Sequence, residues 1–241
     1  MKLGLVSAIL DGWGLKEMLC EAKSAGYSCV EVACWPAGKA ERRYAGVSHI
    51  DVYNTSPAYI ADIRVLLEET GMSISSLAYY PNPLDPEKGA EAVEHLKKVI
   101  RMSALLGVNM VTTFIGRDQT KTVEENLELV RTVWPPILDC AVEQGVKVAI
   151  ENCPMLFGPD QWPGGQNLFT SPANWRRIFD LLPYDNLGIN YDPSHFVWQM
   201  IDCIKPIYEF RDRIFHVHIK DIKLYRDRLD QVGITAYPLE F

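Results

Sequence analysis

The chain has 241 residues, of which 48% are hydrophobic and 23% charged, so it can bury one substantial core. Its formal net charge of −7 argues against nucleic acid or an acidic membrane surface as a partner, since both require a basic protein face. No apolar run approaches the roughly 20 residues that span a bilayer, and we predict a single domain over residues 1–241 in a cytoplasmic protein.

Short β-rich runs alternate with amphipathic helical runs, which is typical of βα units around a parallel sheet. The predicted strands are residues 3–9, 29–34, 72–79, 109–115, 147–152, 187–192 and 213–220. The predicted helices are residues 15–25, 57–70, 87–106, 122–144, 172–182 and 198–211. Pro135 and Pro136 should kink the fourth helix or split it in two.

These units predict a (β/α)8 barrel of the TIM type, because no G-x-G-x-x-G turn follows the first strand as in a nucleotide-binding sheet. The residues after Asp221 are too few for an eighth strand and a closing helix, and we interpret the chain as truncated at its C-terminus. A missing strand exposes two edges of the sheet, which a second copy of the chain could cover. A homo-oligomer is therefore expected. Residues 220–228 are predicted to be a solvated, mobile loop.

The seventh predicted strand is the most informative segment. Its side chains alternate between a titratable face and an apolar face: His216, His218 and Lys220 against Phe215, Val217 and Ile219. A strand of this kind belongs to a sheet that surrounds a polar site.

Two further strands contribute carboxylates at equivalent positions. Glu151 lies opposite the apolar residues of the fifth strand, and Asp192 follows the sixth strand directly before Pro193. The active sites of such barrels lie at the carboxyl ends of the strands. Glu151, Asp192 and His218 are therefore candidate ligands of one metal ion.

Each of these side chains also has a structural interpretation, which the sequence leaves open. Glu151 could form a buried ion pair with Lys147 or Lys220, and Lys220 could simply neutralise a neighbouring carboxylate. His216, early in its strand, is more often hydrogen-bonded packing than a ligand. Trp35 is more often packing than a platform for a sugar ring.

The motifs E-N-C-P, D-P-S-H and H-V-H-I-K-D together resemble those of the xylose isomerase-like TIM barrel superfamily, and most closely its sugar phosphate isomerase/epimerase group. The resemblance implies one divalent ion held by a Glu, an Asp, a His and a second Glu from strands five to eight. The first three match Glu151, Asp192 and His218. The fourth has no match, and Glu240, in a tail without strand character, is not assigned.

The resemblance also implies roles for other residues. Glu151 would be an acid/base catalyst, and His195 a contact to a substrate hydroxyl. Lys220, Glu31 and Trp35 would also bind the substrate. An oxygen-rich site suits Mn²⁺, Mg²⁺ or Co²⁺, while Zn²⁺ stays possible.

The leading hypothesis is a metal-dependent isomerase or epimerase of a sugar or sugar phosphate that transfers a proton through an enediolate. The alternatives are a lyase similar to inosose dehydratase and a catalytically impaired sugar-binding barrel. The DNA-repair endonucleases of the superfamily add histidines from strands three and four. Here those strands carry Ser75, Ser76, Thr112 and Thr113, and that function is disfavoured.

Overall fold

The structure is a computed structural model, and residues 2–38, 45–155 and 165–234 are described. Strands and helices alternate along these residues. The strands are β1 (Gly4–Val6), β2 (Cys29–Ala33), β3 (Ser73–Ala78), β4 (Met110–Thr113), β5 (Lys147–Glu151), β6 (Leu187–Tyr191) and β7 (Ile214–Val217). The helices are α1 (Leu15–Ser24), α2 (Pro57–Thr70), α3 (Gly89–Leu106), α4 (Val123–Val133), α5 (Pro135–Glu143), α6 (Pro172–Leu181), α7 (Ser194–Trp198), α8 (Lys205–Glu209) and α9 (Arg226–Val232).

The described strands follow one another in the sheet in chain order, from β1 to β7. Their pairings are parallel, from β1 with β2 to β6 with β7. This confirms the predicted α/β fold of the TIM-barrel type, in which the described residues contain no eighth βα unit. None of the described helices combines the length and the apolar character needed to cross a membrane.

Two compact units emerge from the contacts within the chain. The first contains Met1–Tyr80, Val93–Thr112 and Asp139–Lys147, and the second contains Pro81–Ala92, Thr113–Leu138 and Val148–Phe241. The expectation of a single domain over residues 1–241 stays a prediction.

The first unit has an aliphatic core between its strands and helices. Val30 and Val32 of β2 and Leu77 of β3 are fully buried, as are Leu19 of α1 and Leu96 of α3. The apolar stripe that predicts α3 therefore faces this core. Gly71 ends α2 in a left-handed conformation with φ of 64°, which a glycine adopts without steric cost.

The second unit has an aromatic core centred on Trp175 of α6. The Trp175 ring stacks at 5.3 Å on Phe169 and at 5.2 Å on Phe196, and it meets Phe210 edge-on at 5.1 Å. Its indole N–H donates to the carbonyl of Phe169, so the polar end of the buried ring is satisfied. The segment that follows β6 packs against this core, because Phe196 belongs to α7.

The predicted helix over residues 122–144 is two helices, because Pro135 and Pro136 begin a new one, α5, directly after Trp134. Thr122 and Glu125 form a capping box at the start of α4.

Several predicted elements differ from the structure. The strand predicted over residues 3–9 ends at Val6, and a short 3-10 helix follows over Ser7–Ile9. The prediction of one helix over residues 198–211 is wrong, because α7 ends at Trp198 and α8 begins only at Lys205. Asp202 accepts hydrogen bonds from the backbone N–H groups of Ile204 and Lys205 at the start of α8. The strand over residues 213–220 ends at Val217. Part of the loop predicted over residues 220–228 is the start of α9.

Candidate metal centre

The candidate ligands lie in the second unit, each at the carboxyl end of a strand. Glu151 is the last residue of β5, Asp192 follows the last residue of β6, and His218 follows the last residue of β7. Parallel pairing aligns these ends, because Glu151 pairs with Asn190, and Asn190 pairs with His216. Sequence positions far apart therefore converge at one end of these three strands.

The three side chains come close enough to share one ion. One ligand atom from each of Glu151, Asp192 and His218 lies within 4.8 Å of the other two. His218 Nδ1 is 3.3 Å from Glu151 Oε1. Asp192 is fully buried and Glu151 is 6% exposed, so neither carboxylate relies on bulk water for its stabilisation.

Asp192 is held rigidly through its backbone and one carboxylate oxygen. Its backbone N–H donates to Asn152 Oδ1, and its carbonyl accepts from Asn152 Nδ2. Asp192 Oδ1 accepts from the hydroxyl of Ser194 at 2.6 Å and from the backbone N–H of the same residue at 3.0 Å. The local D-P-S turn thus fixes the carboxylate on one side.

The other oxygen, Asp192 Oδ2, is buried and has no hydrogen-bond partner among the described atoms. It lies against two basic side chains, with Lys220 Nζ at 2.6 Å and His195 Nε2 at 3.4 Å. A buried carboxylate oxygen that contacts basic groups in this way is suited to bind a cation.

Glu151 lies among positive and polar groups. Lys220 Nζ is 3.6 Å and His195 Nε2 is 3.7 Å from Glu151 Oε1. Burial alone would raise the pKa of Glu151, but His218, His195 and Lys220 outweigh it and hold this pKa well below its ordinary value. Glu151 is therefore ionised at neutral pH.

Lys220 connects the two carboxylates to His195. Its Nζ lies 2.9 Å from His195 Nε2, in addition to its contacts with Asp192 and Glu151. Burial acts to lower the pKa of Lys220, but Glu151 and Asp192 outweigh it and raise this pKa above its ordinary value. The lysine is thus a cation at neutral pH, in contact with the two acidic candidate ligands.

Asn190 joins the histidines of the seventh strand. His216 Nδ1 lies 2.9 Å from Asn190 Oδ1, and Asn190 Nδ2 lies 3.2 Å from His218 Nε2. His216 therefore makes the packing hydrogen bond that its position early in the strand suggested.

Glu31 and Trp35, predicted to bind substrate, belong to the first unit. Glu31 is 2% exposed and accepts hydrogen bonds from Ser76 Oγ and from the hydroxyl of Tyr80. The Trp35 ring meets Tyr79 edge-on at 5.0 Å. Their roles toward a substrate, like those of His195 and Lys220, stay predictions.

Sequence reasoning missed the residues that orient the ligands: Asn152, Ser194, Asn167 and Asn190. Asn167 Nδ2 donates to the carbonyls of Glu151 and Cys153, so it holds the end of β5. The sequence does contain a signal for Ser194, because the residue two positions after an aspartate in a turn commonly donates a hydrogen bond to the aspartate carboxylate. No sequence signal marks Asn167, which contacts β5 from 16 residues away.

This donor set fits a divalent ion. Two carboxylates and one imidazole suit Mn²⁺, Mg²⁺, Co²⁺ or Zn²⁺, and the Ser194, Asn152 and Asn190 contacts supply the outer hydrogen bonds that such ligands require. The buried Asp192 Oδ2, which accepts no hydrogen bond, is the observation that favours this fit most strongly.

Comparison with known proteins identifies the family of the chain. The family model described as xylose isomerase-like TIM barrel matches residues 19–233. The chain belongs to this family. Within it, YfiH of Bacillus subtilis strain 168, an uncharacterized protein, is 26% identical over 239 residues, which cover 94% of this chain and 74% of YfiH.

Two solved structures share the fold of this xylose isomerase-like chain. The probable 3-DHS dehydratase AsbF of Bacillus anthracis, involved in petrobactin synthesis, has a TM-score of 0.71 and 14% identity, over 94% of this chain and 75% of AsbF. The 3-keto-D-glucoside 4-epimerase YcjR of E. coli has a TM-score of 0.70 and 16% identity, over 92% of this chain and 79% of YcjR.

Proposed function

We propose that the chain is a divalent-metal-dependent isomerase or epimerase of a sugar or sugar phosphate, which transfers a proton through an enediolate. The observation that carries this proposal is the buried Asp192 Oδ2, which accepts no hydrogen bond, beside Glu151 and His218. Support also comes from the family and from the activity of YcjR, a sugar epimerase. We also propose that the substrate is a small sugar and that the protein is located in the cytoplasm.

Glu151, Asp192 and His218 would hold the ion, with Mn²⁺, Mg²⁺ or Co²⁺ preferred for an oxygen-rich site. When bound, such an ion supplies Lewis-acid polarisation of a substrate carbonyl, which acidifies the neighbouring carbon-bound proton. Three protein ligands leave coordination positions for substrate oxygens.

Glu151 is the proposed base for that carbon-bound proton. Its low pKa keeps it ionised at neutral pH, but also makes it a weak base while His218, His195 and Lys220 surround it. Lys220 Nζ and His195 Nε2, which contact each other at 2.9 Å, would each donate a hydrogen bond to a substrate oxygen after that contact opens. The charge that develops on an enediolate oxygen would be stabilised by Lys220.

A lyase is the second candidate, favoured by the activity of AsbF, a probable dehydratase. Dehydration beside a carbonyl begins with the same proton removal, so Glu151 would keep its role and the products would differ. A catalytically impaired sugar-binding barrel is the third, because the described residues contain no eighth strand to carry the second glutamate that the family resemblance implies.

Deuterium exchange distinguishes these functions without knowledge of the natural product. We would incubate the protein with Mn²⁺, Mg²⁺ or Co²⁺ and a panel of ketoses, their phosphates and keto-inositols in D2O, and follow the carbon-bound protons by NMR. Enzymatic enolisation replaces the proton next to the carbonyl by deuterium, and the product identifies an epimerase, an isomerase or a lyase.

Glu151→Gln should abolish the exchange and leave the fold intact. The matched control is Glu128→Gln, whose side chain is exposed and pairs with Arg131 on α4. Exchange that persists in Glu151→Gln would remove Glu151 from the mechanism. Binding of a sugar without exchange in the wild type would favour the impaired barrel.

A further inference from the structure

Lys220 lies where a cation is expected in the candidate metal centre. Its Nζ is 2.6 Å from Asp192 Oδ2 and 3.6 Å from Glu151 Oε1. Asp192 Oδ2 accepts no hydrogen bond among the described atoms, and its next polar neighbour, His195 Nε2, is farther away at 3.4 Å. The ammonium group therefore contacts the same carboxylate oxygens that would bind the ion.

The two buried carboxylates need this positive charge when no ion is bound. Removing two negative charges from water without a counter-charge is costly, and a nearby ammonium group offsets part of that cost. Ser194 donates hydrogen bonds to the Asp192 carboxylate, but as a neutral residue it supplies no charge. Lys220 is thus suited to stabilise the ion-free protein.

The lysine and a divalent ion cannot share Asp192 Oδ2. A coordinated ion would sit about 2.0–2.6 Å from this oxygen, whereas Lys220 Nζ is itself 2.6 Å from it. The ion and Nζ would then be at most about 5 Å apart, and two cations this close repel each other strongly in a buried site. Binding of the ion must therefore move Nζ away.

The surroundings of Lys220 allow that movement. Its side chain is 49% exposed, and the residue lies beyond the end of β7 at Val217. Nζ can therefore reach water by changing side-chain torsions, without breaking the strand pairing of β7 with β6.

We propose that Lys220 is a tethered counter-cation that neutralises Glu151 and Asp192 in the ion-free protein and is displaced when a divalent ion binds. This inference rests on the proposed metal centre. Displacement also releases His195 Nε2 from its contact with Lys220, so ion binding makes both side chains available to a substrate. Loading of the ion and binding of the substrate are thereby coupled.

The first test measures Mn²⁺ binding to the wild type and to Lys220→Met by isothermal titration and by the EPR signal of free Mn²⁺. Because the methionine variant has no ammonium group to displace, it should bind Mn²⁺ about ten- to a hundredfold more tightly. Lys220→Arg keeps the charge and should bind nearly as weakly as the wild type. Lys223→Met, which removes an exposed lysine three residues away, is the matched control and should not change the affinity.

The second test is made on the wild type, so the side chains around the proposed ion are unchanged. The ammonium resonance of Lys220, assigned by its loss in Lys220→Arg, should shift when the wild type is titrated with Mg²⁺, while that of Lys223 should not. This measurement holds even if Lys220→Met fails to fold.

The outcomes separate this inference from the proposed function. If the wild type binds Mn²⁺, but Lys220→Met binds equally well and the Lys220 resonance does not move, the counter-cation role is overturned and the metal centre stands. If only Lys220→Met binds Mn²⁺, the displacement is supported. If no folded variant binds any of the candidate ions, the metal centre and the inference are both overturned.

Discussion

Asp192 illustrates how a single residue is prepared for a role by its immediate neighbours. Ser194 and Asn152 fix one carboxylate oxygen and the backbone, which leaves Oδ2 as the oxygen that can accept a cation. Outer hydrogen bonds of this kind determine the orientation of a ligand and so affect its affinity for a metal ion.

Ser194→Ala should weaken Mn²⁺ binding about tenfold, because the carboxylate of Asp192 loses the hydroxyl that orients it. The backbone N–H of residue 194 still donates to Oδ1, so the loss is partial. Titration of Mn²⁺ against the folded variant checks this. Ser24→Ala, which removes an exposed hydroxyl at the end of α1, serves as the control. An unchanged affinity in Ser194→Ala would show that Asp192 does not depend on this contact.

At the scale of elements, β6 and β7 approach closely at Gly188. A Cβ at this position would overlap the backbone carbonyl of Arg213 and the ring of Phe215, so the strand pair requires a residue without a side chain. The pairing of these strands in turn places Asp192 and His218 at adjacent strand ends.

Gly188→Ala should therefore destabilise the fold by about 1–3 kcal/mol, the usual cost of overpacking a filled site. Urea unfolding followed by circular dichroism measures this. Gly14→Ala is the matched control, because a Cβ at Gly14 meets no atom within 4 Å. A free energy of unfolding equal to that of the control would mean that Phe215 moves aside at little cost.

The loop between β4 and α4 is held by a buried carboxylate. Asp118 Oδ1 accepts hydrogen bonds from the hydroxyl of Thr120 at 2.7 Å and from its backbone N–H at 3.0 Å, and Oδ2 pairs with Lys121. The Thr120 hydroxyl is the largest cause of the lowered pKa of Asp118; burial opposes it, and Lys121 also lowers this pKa. The ionised form is thus favoured in the folded state.

This shift predicts a pH-dependent contribution to stability. Because the folded-state pKa of Asp118 lies below its unfolded value near 3.8, the contribution is present above that value and is lost as the pH falls through the folded pKa. Asp118→Asn should cost about 1 kcal/mol at pH 7 and progressively less in acid. Urea unfolding of both proteins between pH 7 and pH 3 checks the trend. A difference independent of pH would assign the effect to the hydrogen bonds alone.

At the scale of the whole molecule, a bound ion should stabilise the fold, because its ligands come from three strands that meet only in the folded chain. At a free-ion concentration near 100 times Kd, the gain is about 2.7 kcal/mol. The melting temperature should rise with Mn²⁺ in the wild type. Asp192→Asn should lose this rise, and an equal rise in both proteins would place the bound ion elsewhere.

The sequence predicted the existence and order of seven strands, though not all of their ends, because each has a clear pattern of β-rich residues between turn signals, as in the run from Lys147 to Glu151. It predicted the split between α4 and α5 because a proline inside a helix removes a backbone hydrogen bond and clashes with the preceding turn. It failed around residues 198–211, where Asp202 and Pro206 start a separate short helix. It also failed at β7, whose alternation of side chains continues beyond the point where backbone pairing stops.

By itself, the sequence determined the order of strands and helices, the family and the identity of the candidate ligands, because each depends on residue type and local spacing. Only the tertiary structure decided that Asp192 Oδ2 lacks a hydrogen bond and that Lys220 occupies the place of a cation beside it. Neither fact is local. Both depend on distances between side chains on separate strands. The register of parallel pairing determines these distances, and the alternation of residues within one strand does not reveal them.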